Sequence, residues 1–141
     1  MSRITFIKIG ADGQPLAADS TEQHVAVLLP DHGIIFTATN VAKDVPQAEC
    51  EAACKACAVA GFNDWELPTI DQLQLLIDRT RHAPAIDTDY FRDIANDWYW
   101  STTPATWSAS VAWGVDFYYG GVYDYRRSSY GFALAVRRSG Q

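Results

Sequence analysis

The spacing of apolar residues along this chain changes character twice. From Ile4 to Ile9 apolar and polar positions alternate, and Ala11-Asp12-Gly13 follows as a turn, which predicts a short strand. Val25–Leu29 is a continuous apolar run stopped by Pro30, and Gly33-Ile34-Ile35-Phe36-Thr37 is a further strand-like run. At Asp44 the pattern turns helical. Residues 46–60, PQAECEAACKACAVA, are rich in Ala, with Pro at the start and Gly61 just past the end, the asymmetry expected of a helix. A second helix is predicted over 70–80. Thr69 is its N-cap, Gln72 three residues on completes a capping box, and Leu73, Leu76 and Ile77 share its buried face. Residues 81–97 read as a loop with one helical turn near Tyr90–Ile94. Strand-like segments then return at Tyr99-Trp100-Ser101, Ala112–Phe117 and Phe132–Val136. Strands, then two helices, then strands predict an α+β fold with an antiparallel sheet.

One segment interrupts this alternation. Five of the seven tyrosines fall between Tyr118 and Tyr130, mixed with Gly, Ser, Asp and two Arg. Tyr offers a large contact area at low entropy cost, and Ser and Gly offer adaptable hydrogen bonding. The segment is therefore read as a recognition surface. Its candidate contacts are Tyr118, Tyr119, Tyr123, Asp124, Tyr125, Arg126 and Tyr130, with Trp107 as an exposed anchor in the Ser/Thr/Ala loop Thr102–Ser110. Asp116 alternates with Val115 and Phe117 and so faces away from them, toward the tyrosines. Trp98 is compatible with either a contact or a framework role.

Composition narrows the class. A chain of 141 residues fits one domain and buries about two thirds of the surface its unfolded form exposes. No run approaches the roughly 18 apolar residues of a membrane span, and the first residues, MSRITFIKIGADG, lack the pattern of a secretory signal. That implies cytoplasmic synthesis, followed by retention or by export through another route such as incorporation into a virion. The net charge of −6 is uneven. Residues 1–97 carry 15 acids against seven Lys/Arg, and residues 98–141 carry two acids against four Arg. The acidic bulk speaks against nucleic-acid binding. The basic excess at the aromatic end suits an anionic glycan or an acidic protein patch, unless those arginines are paired within the fold.

Other constellations give way to plainer readings. Cys50, Cys54 and Cys57 have a spacing that suits an iron–sulfur cluster, but within a helical pattern they fall on one face, where Cys packs as a small hydrophobe. His24, His32 and His82 lack ligand spacing. Asp64 reads as a turn cap rather than a calcium ligand, and Asp87 with Asp89 as a solvated loop. No nucleophile elbow or phosphate loop is present. The expectation is a non-enzymatic protein without metal or cofactor.

Several motifs in order resemble a known family. Gly61-Phe62-Asn63-Asp64-Trp65-Glu66-Leu67-Pro68-Thr69 with Gln72-Leu73 is similar to G-x-x-D-W-R-L-P-T-x-x-E-L. Tyr99-Trp100-Ser101-Thr102-Thr103 is similar to Y-W-S-S-T. Ala112-Trp113-x-Val115-x-Phe117-x-x-Gly120-x-Val122 resembles A-W-x-V-x-F-x-x-G-x-V, and Ala135-Val136-Arg137 resembles the end of V-R-x-V-R. The set resembles the family typified by the C-terminal domain of the Legionella collagen-like adhesin, from Ile34 onward. Glu66 and Leu134 depart from it, each standing where the family has Arg.

The resemblance implies a C-type-lectin-like fold over 34–141, with two helices on antiparallel sheets. Residues 1–33 remain as N-terminal strands, open to use as an assembly segment, within one compact unit. It implies adhesion or ligand recognition on bacterial surfaces or phage particles, with a cell-surface protein or glycan as partner and no membrane insertion. It places Trp65, Trp100 and Trp113 in the framework. Some members are targets of diversity-generating retroelements, which mutate adenines in surface codons. Asn-rich stretches of relatives match Tyr118–Gly131, and such changes turn Asn into Tyr, Asp, Ser and Gly. Homo-oligomerisation fits, because weak single sites gain from avidity. Two alternatives stay open. One is a virion structural or assembly component with the tyrosines buried between subunits. The other is an enzyme like the formylglycine-generating enzymes, which share a lectin-like fold and rely on cysteines.

Overall fold

The computed structural model describes residues 4–140, so the first three residues of the N-terminal segment and Gln141 lie outside the described residues. Two sheets carry the chain. The first joins β1 (Ile7–Ile9), β2 (Ala26–Leu29), β3 (Ile34–Thr37) and β9 (Val136–Arg138) in that order, all antiparallel. The second has the order β4 (Ala42–Val45), β8 (Gly131–Ala133), β5 (Trp98–Ala105), β6 (Ser108–Asp116) and β7 (Gly121–Arg126). Its β5–β8 pair is parallel and the other pairs are antiparallel. Helices α1 (Gln47–Lys55) and α2 (Ile70–Gln74) pack against the second sheet. This is the predicted α+β architecture, with one sheet mixed, and it is consistent with a C-type-lectin-like fold.

The predicted strand Phe132–Val136 is split between the two sheets. Leu134 and Ala135, both fully buried, carry the chain across. Thr37 N donates to Ala135 O at 2.9 Å, and Ala135 N donates back to Thr37 Oγ1 at 3.0 Å. These bonds satisfy the backbone polar groups of a buried crossing.

Both helices are shorter than their sequence patterns predict. The capping box of α2 is present: Gln72 N donates to Thr69 Oγ1, and Thr69 N to Gln72 Oε1. Past Gln74 the bonds tighten to i→i+3 spacing, and Asp78 N donates to Ala85 O at 2.8 Å, drawing the chain away. Leu73 and Leu76 are buried as expected, whereas Ile77 is only half-buried. Helix α1 stops at Lys55, and Ala60 and Gly61 take left-handed backbone angles that end the segment. Cys50 and Cys54 are buried, but Cys57 lies beyond the helix, so the three cysteines do not share one helical face. The turn expected near Tyr90–Ile94 begins earlier, with Tyr90 N and Phe91 N both donating to Asp87 O.

The largest departure is Thr102–Ser110, predicted as a loop. It is the end of the β5–β6 hairpin, with Thr106 and Trp107 at the tip. Its Ser, Thr and Ala residues carry no apolar alternation, so hydropathy was silent about a real strand pair.

A framework clamp ties the signature motifs together. Glu66 and Val136 exchange both backbone hydrogen bonds at 2.9 Å. Beside them, the buried Arg137 donates from Nε to Asp64 Oδ1 at 2.6 Å and from an Nη to Oδ2 at 3.1 Å, and its guanidinium lies 3.7 Å from the Phe62 ring centroid. Asp64 is therefore the counter-ion of Arg137, not a turn cap. The pairing holds its carboxyl below the ordinary value of 3.8.

Candidate functional site: an aromatic cavity on the edge strand

The tyrosine segment is not an irregular loop. Its centre is β7, the edge strand of the second sheet, paired with β6 in the register Ala112↔Tyr125, Gly114↔Tyr123 and Asp116↔Gly121. Period-2 geometry sorts its side chains by face. Tyr123 and Tyr125 share the face of Trp98 and Trp100, which β5 contributes through Trp98↔Asp116 and Trp100↔Gly114. Asp124 and Arg126 stand on the reverse face, opposite Trp113 and Val111.

Gly114 creates the slot for this arrangement. A Cβ there would lie 2.5 Å from the Trp98 ring and closer still to Tyr99 O. Its absence lets the Trp98 ring lie flat over β6, where it is almost fully buried. Trp100 meets it edge-on at 5.7 Å, Tyr125 edge-on at 4.4 Å, and Tyr123 at 6.2 Å with a tilt of 35°. Gly121 does the same for Tyr123, whose ring occupies the space of a Cβ. Aromatic pairs of this kind contribute about 0.5–1.5 kcal/mol each beyond their buried area. The two tyrosines thus have packed inner edges, yet 53% of Tyr123 and 49% of Tyr125 remain exposed.

Above Trp98 lies an open cavity of about 350 Å³, whose lining includes Asp97, Trp98, Asp116, Tyr123, Tyr125 and Tyr130. Asp116 does face the tyrosines. Its Oδ1 accepts from Tyr118 N at 2.8 Å and Tyr119 N at 3.4 Å, fixing the β6–β7 turn that Gly120 completes at φ 82°. Asp97 Oδ1 accepts from Trp98 N at 2.8 Å.

Of the residues singled out in the sequence, the cavity gathers Tyr123, Tyr125 and Tyr130. Tyr118 is half-buried and packs edge-on against Tyr119. Tyr119 belongs to a separate cavity of about 380 Å³, where its ring lies 6.0 Å from that of His82. Trp107 is exposed at the hairpin tip and packs edge-on against Trp113 at 5.8 Å, so Trp113 is half-buried rather than core. Asp97 and Ser129 escaped the sequence reading, which left Trp98 open between contact and framework. The usable signal for Trp98 was its two-residue spacing from the framework Trp100, which places both on one face.

The charge reading also changes. Among the described residues, no Arg or Lys lines the cavity over Trp98. Arg137 is spent on Asp64, and Arg126 points to the reverse face. The basic excess of the C-terminal segment therefore does not reach this site.

The cysteines sit elsewhere. Cys50 and Cys54 are fully buried. Burial pushes the Cys50 thiol up to about 12 and raises Cys54 and Cys57 as well, so all three stay protonated at neutral pH. Among the described residues no group of three or more His, Cys, Asp or Glu is placed to hold a metal ion. Asp87 is engaged by Arg81 at 3.3 Å. Among the described residues no helix is long and apolar enough to cross a membrane.

The chain is thus an α+β domain of two sheets that presents packed aromatic residues around an open cavity. The chain belongs to the Lcl C-terminal domain family, whose model matches residues 21–137, and this makes it an adhesin-like domain. The match reaches upstream of Ile34 to include β2, which the motif resemblance had left out. Comparison with curated proteins returned no match.

Proposed function

We propose that this domain is a non-enzymatic adhesion module that binds a cell-surface protein or glycan through the aromatic face of β7. One observation carries the reading: Tyr123, Tyr125 and Tyr130 are 49–62% exposed around a cavity floored by a buried tryptophan. Exposed aromatics held on a rigid strand lose little entropy on binding and bury much area, the property of interaction hot spots. The exposed side chains of the edge strand and its flanking turns sit outside the core, which leaves them room to vary. That tolerance is what a phage receptor-binding protein or a retroelement-diversified protein requires, and it is the setting we assign. A shallow single site gains from display in several copies.

The test is binding of the fluorescently labelled domain to immobilised glycans and to cell-surface proteins, alongside the Tyr123→Ala/Tyr125→Ala variant. The proposal expects saturable binding that the variant loses by at least tenfold. Equal binding by both proteins contradicts it. A stable oligomer that the double substitution dissociates would instead favour the virion assembly role.

A further inference from the structure

We infer that the cavity over Trp98 takes an organic cation, an alkylammonium head seated against Tyr123 and Tyr125 with Asp116 as its counter-ion. The inference rests on this cavity being the recognition site proposed above.

The argument is one of sign. Among the described residues, the lining carries two carboxylates, Asp97 and Asp116, and no Lys, Arg or His. Neither carboxylate has an ion-pair partner among the described residues. Asp116 commits Oδ1 to the backbone of the following turn, which fixes the carboxylate in place while Oδ2 accepts no hydrogen bond among the described residues. The aromatic rings add to the same field, because the face of an aromatic ring is its negative pole. An anionic glycan, a phosphate or an acidic peptide meets repulsion from every charged group in the cavity. A neutral sugar stacks on the rings but gains nothing from a net charge of its own. A cation gains from both carboxylates and from the rings together. Size agrees, since an open cavity of about 350 Å³ admits a branched ammonium head with its chain leading out to solvent. The shared chemistry has two sources, a methylated ammonium headgroup or the lysine side chain of a protein partner.

Four probes separate the possibilities by nuclear magnetic resonance titration of the ¹⁵N-labelled domain, following the amides of Trp98, Tyr123 and Tyr125 and the Trp98 indole. Choline and n-butylammonium are the cations, 3,3-dimethylbutan-1-ol is the uncharged isostere of choline, and methyl glucoside is the neutral sugar. At least one cation should bind tenfold or more tightly than the isostere and the sugar. Asp116→Asn should lose at least tenfold for the cation with no change for the isostere, and added salt should weaken only the cation. Asn keeps an oxygen at Oδ1 for the turn. Asp97→Asn, at an exposed carboxylate, should show a smaller loss and serves as the second variant if the turn is disturbed. Tighter choline binding points to a methylated headgroup, and tighter butylammonium binding to a protein lysine. Equal affinity for the isostere, tighter binding of the glucoside, or unchanged cation affinity in both Asn variants overturns the cation inference and leaves the recognition site standing. No response to any probe also overturns the cation inference, and the recognition site then stands or falls on the glycan and protein binding test above.

Discussion

The clamp at Arg137 and the cavity over Trp98 use the same materials, an aromatic ring beside a charged group, and do opposite things with them. At the clamp the guanidinium is buried, stacked on Phe62 and bonded twice by Asp64, with its neighbour Val136 paired to Glu66. At the cavity the carboxylates of Asp97 and Asp116 have no counter-ion among the described residues, and the rings of Tyr123 and Tyr125 keep about half their surface in solvent. Closure is the difference. Where charge and ring complete each other, they hold the fold. Where they do not, they are available to something else.

The contrast can be broken from either side. Gly114→Val should have the largest effect, because a side chain there displaces the Trp98 ring and crowds Tyr99 O. We expect a loss of about 3 kcal/mol in urea unfolding, together with loss of the cavity. Arg137→Ala comes next. It removes the ring stacking and both bonds to Asp64, at about 2–3 kcal/mol, by the same measurement.

The clamp also predicts a pH dependence. The folded pKa of Asp64 lies below its ordinary value of 3.8, so its contribution is fully present above about pH 4 and is lost as pH falls through the lowered folded value. Melting curves of the wild type and Asp64→Asn should therefore differ by a constant amount above about pH 4 and converge below it. A gap that widens on acidification would contradict the pairing. Trp107→Ala should matter least. Its ring touches Trp113 at the hairpin tip, away from the cavity, so stability should change by under about 1 kcal/mol and ligand affinity by less than twofold.

Much of the framework was legible in the sequence because it is written in period and punctuation. The capping box at Thr69 and Gln72 and the strands of the first sheet follow from local pattern, and the burial of Trp65 and Trp100 from the motifs shared with the family. The hairpin through Thr102–Ser110 was not legible, because a strand pair with small polar side chains has no hydrophobic alternation to announce it. The site was half legible. Composition pointed to Tyr123, Tyr125 and Tyr130, but only strand register divides Tyr123 and Tyr125 from Asp124 and Arg126 on the reverse face. The floor of the site depends on an absent atom, the missing Cβ of Gly114, and on a tryptophan from a different strand. Neither signals itself in a linear reading. The charge assignment failed for a related reason, since a segment's net charge does not say which face its arginines occupy.

The most direct test combines stability and binding in one variant, Tyr123→Ala/Tyr125→Ala. If these rings are a recognition surface carried on an intact frame, the variant should stay folded, its melting temperature lowered by no more than about 12 °C through the two lost ring contacts with Trp98, while ligand binding falls by at least tenfold. A variant that unfolds, or one that keeps its stability and binds as tightly as the wild type, would contradict that account.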